Sequence, residues 1–352
     1  MVHLSNLLDR ILTPSGTAGL VAQRALDQLT KPPGSLGRLE ELARCLAEMS
    51  GRFPPQVRRA VIFTLAADHG VVAEGVSAYP QIVTAQMVEN LLRGGAAVNV
   101  LARHAGASVV VVDLGVAAPL PAHPALVSRR IAAGTRNMAR GPAMSREEAL
   151  AAIEAGIGLV ETERGNGLDL IGTGEMGIGN TTAASAVVAA LTGAPAEAVT
   201  GTGTGVDEAG RRRKIATVER ALSVNRPDRD DGIDVLAKVG GFEIAGLCGV
   251  VLAGAAARIP VVLDGFIAGA AALAAVRIKP EARHYLLASH RSTEPGAGYV
   301  LDALDLKPYV DLGMRLGEGT GSALCIDLAK AAVKILGEMA TFKSAGVTER
   351  SP

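Results

Sequence analysis

The sequence predicts a doubly wound α/β protein, with a parallel sheet flanked by helices, from two observations. Apolar, β-rich runs recur along the 352 residues and end at a glycine or a polar side chain. Between them lie stretches with helical spacing, the crossovers that parallel strands require.

The elements follow in order. Leu4 to Leu12 and Ala18 to Leu29 have helical spacing, and Lys31-Pro32-Pro33-Gly34-Ser35 interrupts them before a further helix, Leu39 to Met49. Arg59 to Ala66 and Ser108 to Leu114 are continuous apolar runs, as expected of strands buried on both faces. They end at Asp68-His69-Gly70 and at Asp113 and Gly115, and Pro80 to Leu101 supplies one or two helices between them. The alternation continues with helix Arg146 to Glu163, strand Leu168 to Ile171, a Gly-rich turn and helix Thr181 to Leu191. Helix Glu243 to Ala256, strand Pro260 to Leu263 and helix Phe266 to Ala275 come next, then strand Tyr285 to Ser289 and a closing helix, Ser322 to Met339. In such sheets ligands bind beyond the carboxyl ends of the strands, so the turns there are where chemistry is expected.

Composition narrows the classes. The chain is 49% apolar but only 3% aromatic, without Trp, so its core is built from Ala, Val, Leu and Ile. Lys plus Arg and Asp plus Glu are 35 each, leaving no net field for nucleic acid or an anionic membrane. Cys45, Cys248 and Cys325 are odd in number and far apart, against a disulfide framework or a CxxC metal site and consistent with a reducing cytoplasm. No signal peptide is read in Met1 to Leu12, and Arg258, Pro260 and Asp264 interrupt the apolar stretch Ile244 to Val276 before it is long enough to span a membrane.

Three segments carry candidate chemistry. Gly172-Thr173-Gly174-Glu175-Met176-Gly177-Ile178-Gly179-Asn180-Thr181-Thr182 follows a strand and opens a helix, whose unpaired N–H groups and dipole suit a phosphate. It contains GxGxxG, but no second strand ends in Asp or Glu about 20 residues later, so a dinucleotide fingerprint is weak. The plain alternative, glycines that let a helix pack tightly on the sheet, has equal weight. Thr200-Gly201-Thr202-Gly203-Thr204-Gly205-Val206-Asp207, followed by Arg211-Arg212-Arg213-Lys214, is a second anion candidate, against a solvated basic helix face. In Gly317-Glu318-Gly319 a carboxylate sits between glycines just before a long helix, as a proton acceptor or simply as an acidic residue near the helix dipole. His69 reads as a structural histidine, and no metal or nucleophile-triad spacing is found.

Together these segments resemble the nicotinate-nucleotide dimethylbenzimidazole phosphoribosyltransferases of cobalamin biosynthesis. The resemblance runs from Lys31-Pro32-Pro33-Gly34-Ser35-Leu36-Gly37 through Ala67-Asp68-His69-Gly70-Val71, the Gly174 to Thr182 segment and Gly201-Thr202-Gly203. It continues in Val239 to Gly246, Leu263-Asp264-Gly265-Phe266, Ser289-His290-Arg291-Ser292 and Gly317 to Gly321. It implies a Rossmann-like sheet in a large domain, residues 56–321, and a small helical lobe from residues 1–55 and about 322–352. A homodimer, no metal or redox cofactor, and nicotinate mononucleotide and dimethylbenzimidazole as substrates are also implied. Glu318 would be the general base. Glu175, Gly177, Ile178, Gly179, Asn180, Thr181, Gly203, Lys214, Asp264 and Ser292 would hold the nucleotide, and Tyr79, Pro80, Gln86, Met87, Met176 and Leu316 the aromatic base. Some family members carry a small hydroxyl residue in place of Tyr79 and Gln in place of Met87, which leaves the identity of the base open. The rival readings are a nicotinamide-dinucleotide oxidoreductase and a non-enzymatic nucleotide-binding regulator.

Overall fold

The computed structural model describes residues 4–348. Six parallel strands form one sheet: β1 (Ala60–Ala67), β2 (Ser108–Gly115), β3 (Leu126–Ser128), β4 (Leu170–Met176), β5 (Val261–Leu263) and β6 (Leu286–Ala288). Their order is β3-β2-β1-β4-β5-β6. The chain runs outward from β1 in one direction and from β4 in the other. The switch point therefore lies between β1 and β4, where the crevice beyond the carboxyl ends is open to a ligand. The α/β reading holds.

Alternation along the strands assigns the two helical layers. Ile62 and Thr64 of β1 meet the segment that opens helix Thr320–Glu338, whereas Leu65 of β1 and Ile171 of β4 meet helix Phe242–Ala256. Every residue of β1 and of helix Phe242–Ala256 is buried, which is why both read as unbroken apolar runs. Helix Phe242–Ala256 packs on Arg146–Arg164, and Thr320–Glu338 packs on Arg38–Ser50 and Ala97–Ala105. The two ends of the chain meet at an antiparallel bridge between Leu29 and Thr341. Among the described residues no helix is long and apolar enough to cross a membrane.

Several sequence boundaries need correction. The first helix stops at Leu8 rather than Leu12, and Pro80 to Leu101 resolves into Val83–Leu92 and Ala97–Ala105. β3 and the helices Gly232–Val239 and Gly296–Leu304 were not foreseen. The largest difference is in β4, which runs on through Gly172 and Gly174 to Met176. A Cβ on Gly174 would lie 2.4 Å from the carbonyl oxygen of Glu318, and one on Gly172 would crowd Ile62 and Ser322. These two glycines admit a neighbouring segment to the sheet. They do not form a phosphate turn, and the dinucleotide reading loses two of its three glycines.

Candidate active site

The turns beyond β1, β4, β5 and β6 enclose a cavity of about 540 Å³. Of the residues singled out in the sequence, Glu175, Met176, Gly177, Ile178, Asn180, Thr181, Gly203, Asp264, Ser292, Leu316 and Glu318 line it, with Tyr79 and Met87. Pro80 and Gln86 are exposed and lie outside the lining. Gly179 also stands back, against Val72, as the left-handed residue (φ 94°) that opens helix Asn180–Thr192.

That helix begins without a side-chain cap and without an acidic residue in its first turn. Its positive end therefore faces the cavity unneutralised. Lys214 reinforces it. The helix Glu208–Asn225 is capped by Asp207, which accepts from the Gly210 N–H at 2.7 Å, and Lys214 lies on its inner face. Arg212 and Arg213 are solvated, as the plain alternative proposed, but Lys214 is buried and its ammonium donates to Thr181 Oγ1 at 2.9 Å. A Cβ on Gly203 would sit 2.6 Å from that ammonium, so the charge lies between two lining residues. Burial lowers its pKa to about 8, opposed by the negative charge of Glu294. At neutral pH the group is still mostly cationic.

The loop of Gly203 is tied on three sides. Glu294 accepts from the Gly203 N–H at 3.0 Å, Arg315 donates to its carbonyl at 3.0 Å, and the Thr204 hydroxyl lies 3.3 Å from Ser77 Oγ and accepts from the Ala78 N–H at 3.3 Å. Glu294, Arg315, His290 and Phe266 also line the cavity, and the sequence reading assigned them no role. Their segments stood out, but the contacts that converge on Gly203 and Thr204 span up to 127 residues of chain.

The remaining wall is acidic. Glu175, at the end of β4, accepts from the Asn180 amide and, at 3.4 Å, from the Glu318 N–H. Burial, with the charges of Asp264 and Glu243, raises its pKa to about 8, so it holds a proton at neutral pH. Glu318 has φ 65°, between Gly317 (φ 88°) and Gly319 (φ 105°). A non-glycine residue in this region is strained by roughly 1–3 kcal/mol, a conformation that persists only when its surroundings impose it. Here the Glu318 carbonyl accepts from Thr64 Oγ1 at 2.9 Å, while one carboxylate oxygen is buried without a partner. Burial, then the negative charge of Asp264, raises the Glu318 pKa. Such a carboxylate has an unused acceptor and an enhanced appetite for a proton. Behind this wall His69 pairs with Glu243 at 2.7 Å, a buried structural histidine as read. Apolar side chains of Tyr79, Val83, Met87, Met176 and Leu316 complete the lining, and Tyr79 and Leu316 are more than half exposed.

The chain matches the sequence profile of a family described as Phosphoribosyltransferase over residues 11–347. It is 57% identical, over 99% of both chains, to a nicotinate-nucleotide–dimethylbenzimidazole phosphoribosyltransferase from Chloroflexus aggregans. It is 52% identical, again over 99% of both, to the protein of that name from Geobacter sulfurreducens. The crystal structure of the protein of that name from Thermus thermophilus superimposes with a TM-score of 0.90 at 48% identity, covering 96% of this chain and 100% of that one. The chain therefore belongs to the phosphoribosyltransferase family.

Proposed function

We propose that the protein transfers the ribose phosphate of nicotinate mononucleotide to 5,6-dimethylbenzimidazole, giving α-ribazole 5′-phosphate and nicotinate for the cobalamin nucleotide loop. The relatives bear the name of this reaction. The observation that carries it is a buried carboxylate with an unused oxygen, Glu318, on the same cavity as an uncapped helix N-terminus backed by a buried lysine.

The chemistry divides along the cavity. A 5′-phosphate fits the start of helix Asn180–Thr192, beside Thr181, Gly203 and the Lys214 ammonium, where backbone N–H groups and one cation meet its charge. Asn180, Gly177, Ile178 and Ser292 complete that wall. Nicotinate linked through C1′ of ribose is a pyridinium, and in the transition state its positive charge passes onto the ribose. The carboxylates of Asp264 and Glu318, with protonated Glu175 beside them, suit that charge. A ring nitrogen of the benzimidazole attacks C1′ from the face opposite nicotinate. The C1′–nicotinate bond breaks, its electron pair returns to the pyridine ring, and the proton on the second benzimidazole nitrogen passes to Glu318. Positioning dominates, because the leaving group is already activated. Tyr79, Val83, Met87, Met176 and Leu316 offer the flat apolar surface that a benzimidazole needs.

The deciding experiment incubates the purified protein with nicotinate mononucleotide and dimethylbenzimidazole and follows both products. Release of nicotinate with formation of the α-linked nucleotide is expected, and absence of both refutes the proposal. The same reading includes a homodimer in the cytoplasm, a lobe of residues 1–55 plus about 322–352 beside a domain of 56–321, and turnover without metal or redox cofactor. Sedimentation, limited proteolysis and assay in chelator test these in turn.

A further inference from the structure

We infer that Asp264 is a positioning residue: its carboxylate caps the helix that follows Glu318, fixing the Glu318 side chain in the cavity and setting one negative charge beside it. Asp264 immediately follows β5 and stands at the start of helix Gly265–Ile278, yet it makes no side-chain cap there. It reaches instead to helix Thr320–Glu338, accepting from the Gly319 N–H at 2.6 Å and the Gly321 N–H at 2.7 Å, one bond to each oxygen. That helix opens on Gly319, with no side-chain cap of its own and no acidic residue in its first turn. Asp264 thus supplies, from 55 residues away, the cap that the local sequence omits.

Three neighbours hold Asp264 in this role. Its own N–H donates to Thr173 Oγ1 at 3.0 Å. The His290 ring lies 3.8 Å from Oδ1, and a Cβ on Gly321 would fall 2.0 Å from His290 Nδ1, so only glycine lets ring and turn approach this closely. The Ser289 hydroxyl donates to the Leu263 carbonyl at 2.6 Å and therefore accepts, at 3.0 Å, from His290 Nδ1. The contact of His290 with Asp264 is then one of charge and packing. The sequence resemblance set Asp264 among nucleotide ligands. Both its oxygens are occupied by amides, and a carboxylate makes a poor phosphate partner.

The inference rests on Glu318 acting as the base. The charged and titratable groups facing Glu318 are Glu175 near the end of β4, Asp264 and His290 after β5 and β6, and Arg315 on its own loop, with Lys214 and Glu294 around Gly203. The negative charge of Asp264 favours protonated Glu318. Burial raises the Asp264 pKa, opposed by the His290 ring and by the amides that its carboxylate accepts from.

The test uses full-length Asp264→Asn and His290→Gln, with kcat and KM measured from pH 5 to 9, and hydrogen exchange across residues 317–323. Asn keeps one acceptor and loses the charge. For Asp264→Asn, kcat is expected to fall roughly 10- to 100-fold, part of the ~10²–10⁴ a positioned base supplies. Its KM for nicotinate mononucleotide should stay within about threefold, and the acid limb of kcat should move about half a unit or more to lower pH. Exchange across 317–323 should quicken. His290 favours ionised Asp264, so His290→Gln should move the limb the same way by less, and this variant decides the matter if Asp264→Asn does not fold. A tenfold rise in KM with kcat retained makes Asp264 a nucleotide ligand and overturns the inference, as does an acid limb unmoved in the folded variants. If the wild type performs no transfer, the proposed function fails. Exchange alone then judges the capping, and an unchanged rate across 317–323 in Asp264→Asn refutes it.

Discussion

Two helices begin at the same cavity in nearly the same way and are finished oppositely. Asn180–Thr192 opens on Gly179 (φ 94°) and Thr320–Glu338 on Gly319 (φ 105°), both left-handed glycines without a side-chain cap of their own. The first carries Thr181, whose hydroxyl accepts from the Lys214 ammonium. The second has its Gly319 and Gly321 amides taken by the Asp264 carboxylate. One positive helix end is thus reinforced and the other cancelled. A substrate carrying a phosphate at one end and a cationic ring near the other meets a cavity polarised to match. The fold supplies equivalent helix termini, and two long-range contacts make them different.

The largest effect is expected at Glu318. Glu318→Gln keeps the shape of the side chain and removes the proton acceptor, so kcat is expected to fall ~10²–10⁴-fold while the KM for nicotinate mononucleotide changes little. The base must be ionised to act, and its pKa is raised by burial and by Asp264. Activity should therefore rise with pH along a limb lying above the ~4.3 of a free Glu, and Gln should abolish that limb. Kinetics across pH check both statements. A variant within a few-fold of wild type removes Glu318 from the mechanism.

At the other helix, Lys214→Ala tests the reinforced end. Losing one charge-assisted hydrogen bond costs about 1.5–3 kcal/mol, so affinity for nicotinate mononucleotide should fall roughly 10- to 100-fold by calorimetry. The kcat should fall less. Equal affinity in the variant would leave the helix terminus to hold the phosphate alone.

How much of this was readable beforehand depends on the range of each contact. β1 was legible because burial on both faces forces an apolar run, whereas the three residues of β3 are too few to show any period. Gly172 and Gly174 looked like a turn, since glycine advertises permissive backbone equally well in a turn and in a strand pressed against another segment. The segment that presses on Gly174 is at Glu318, 144 positions later, and no local window contains it. Likewise Lys214 differs from Arg212 and Arg213 only in which helix face it occupies. The acidic and basic segments of the site were therefore found, while the pairing of Asp264 with the Glu318 turn was not.

A smaller effect sharpens the electrostatic side. The folded-state pKa of Glu175, about 8, lies above the ordinary value of 4.5, so the native state binds a proton that the unfolded state releases between those values. That contribution to stability is complete below pH 4.5 and is lost as pH rises through about 8. Glu175→Gln should remove this dependence. Between pH 6 and 9 the wild-type Tm should decline more steeply than that of the variant, which calorimetric scans at several pH values resolve. Parallel curves would mean that Glu175 stays ionised in the native protein.

The least change is expected at the rim, away from both helix ends. Tyr79 is 53% exposed, lines the cavity and follows Ser77 and Ala78, which hold the Thr204 hydroxyl. Its ring can cover one edge of a flat heterocycle while remaining half in water, so its contribution is a fraction of a buried aromatic contact. Tyr79→Ser should raise the KM for dimethylbenzimidazole by about 2- to 10-fold, matching ~0.5–1.5 kcal/mol of lost ring contact, and leave that for nicotinate mononucleotide unchanged. Competing benzimidazole with a smaller base such as adenine should show the preference narrowing in the variant. If instead the nucleotide KM moves, Tyr79 acts through the Thr204 contact on the phosphate end, and the rim belongs to the basic half of the cavity.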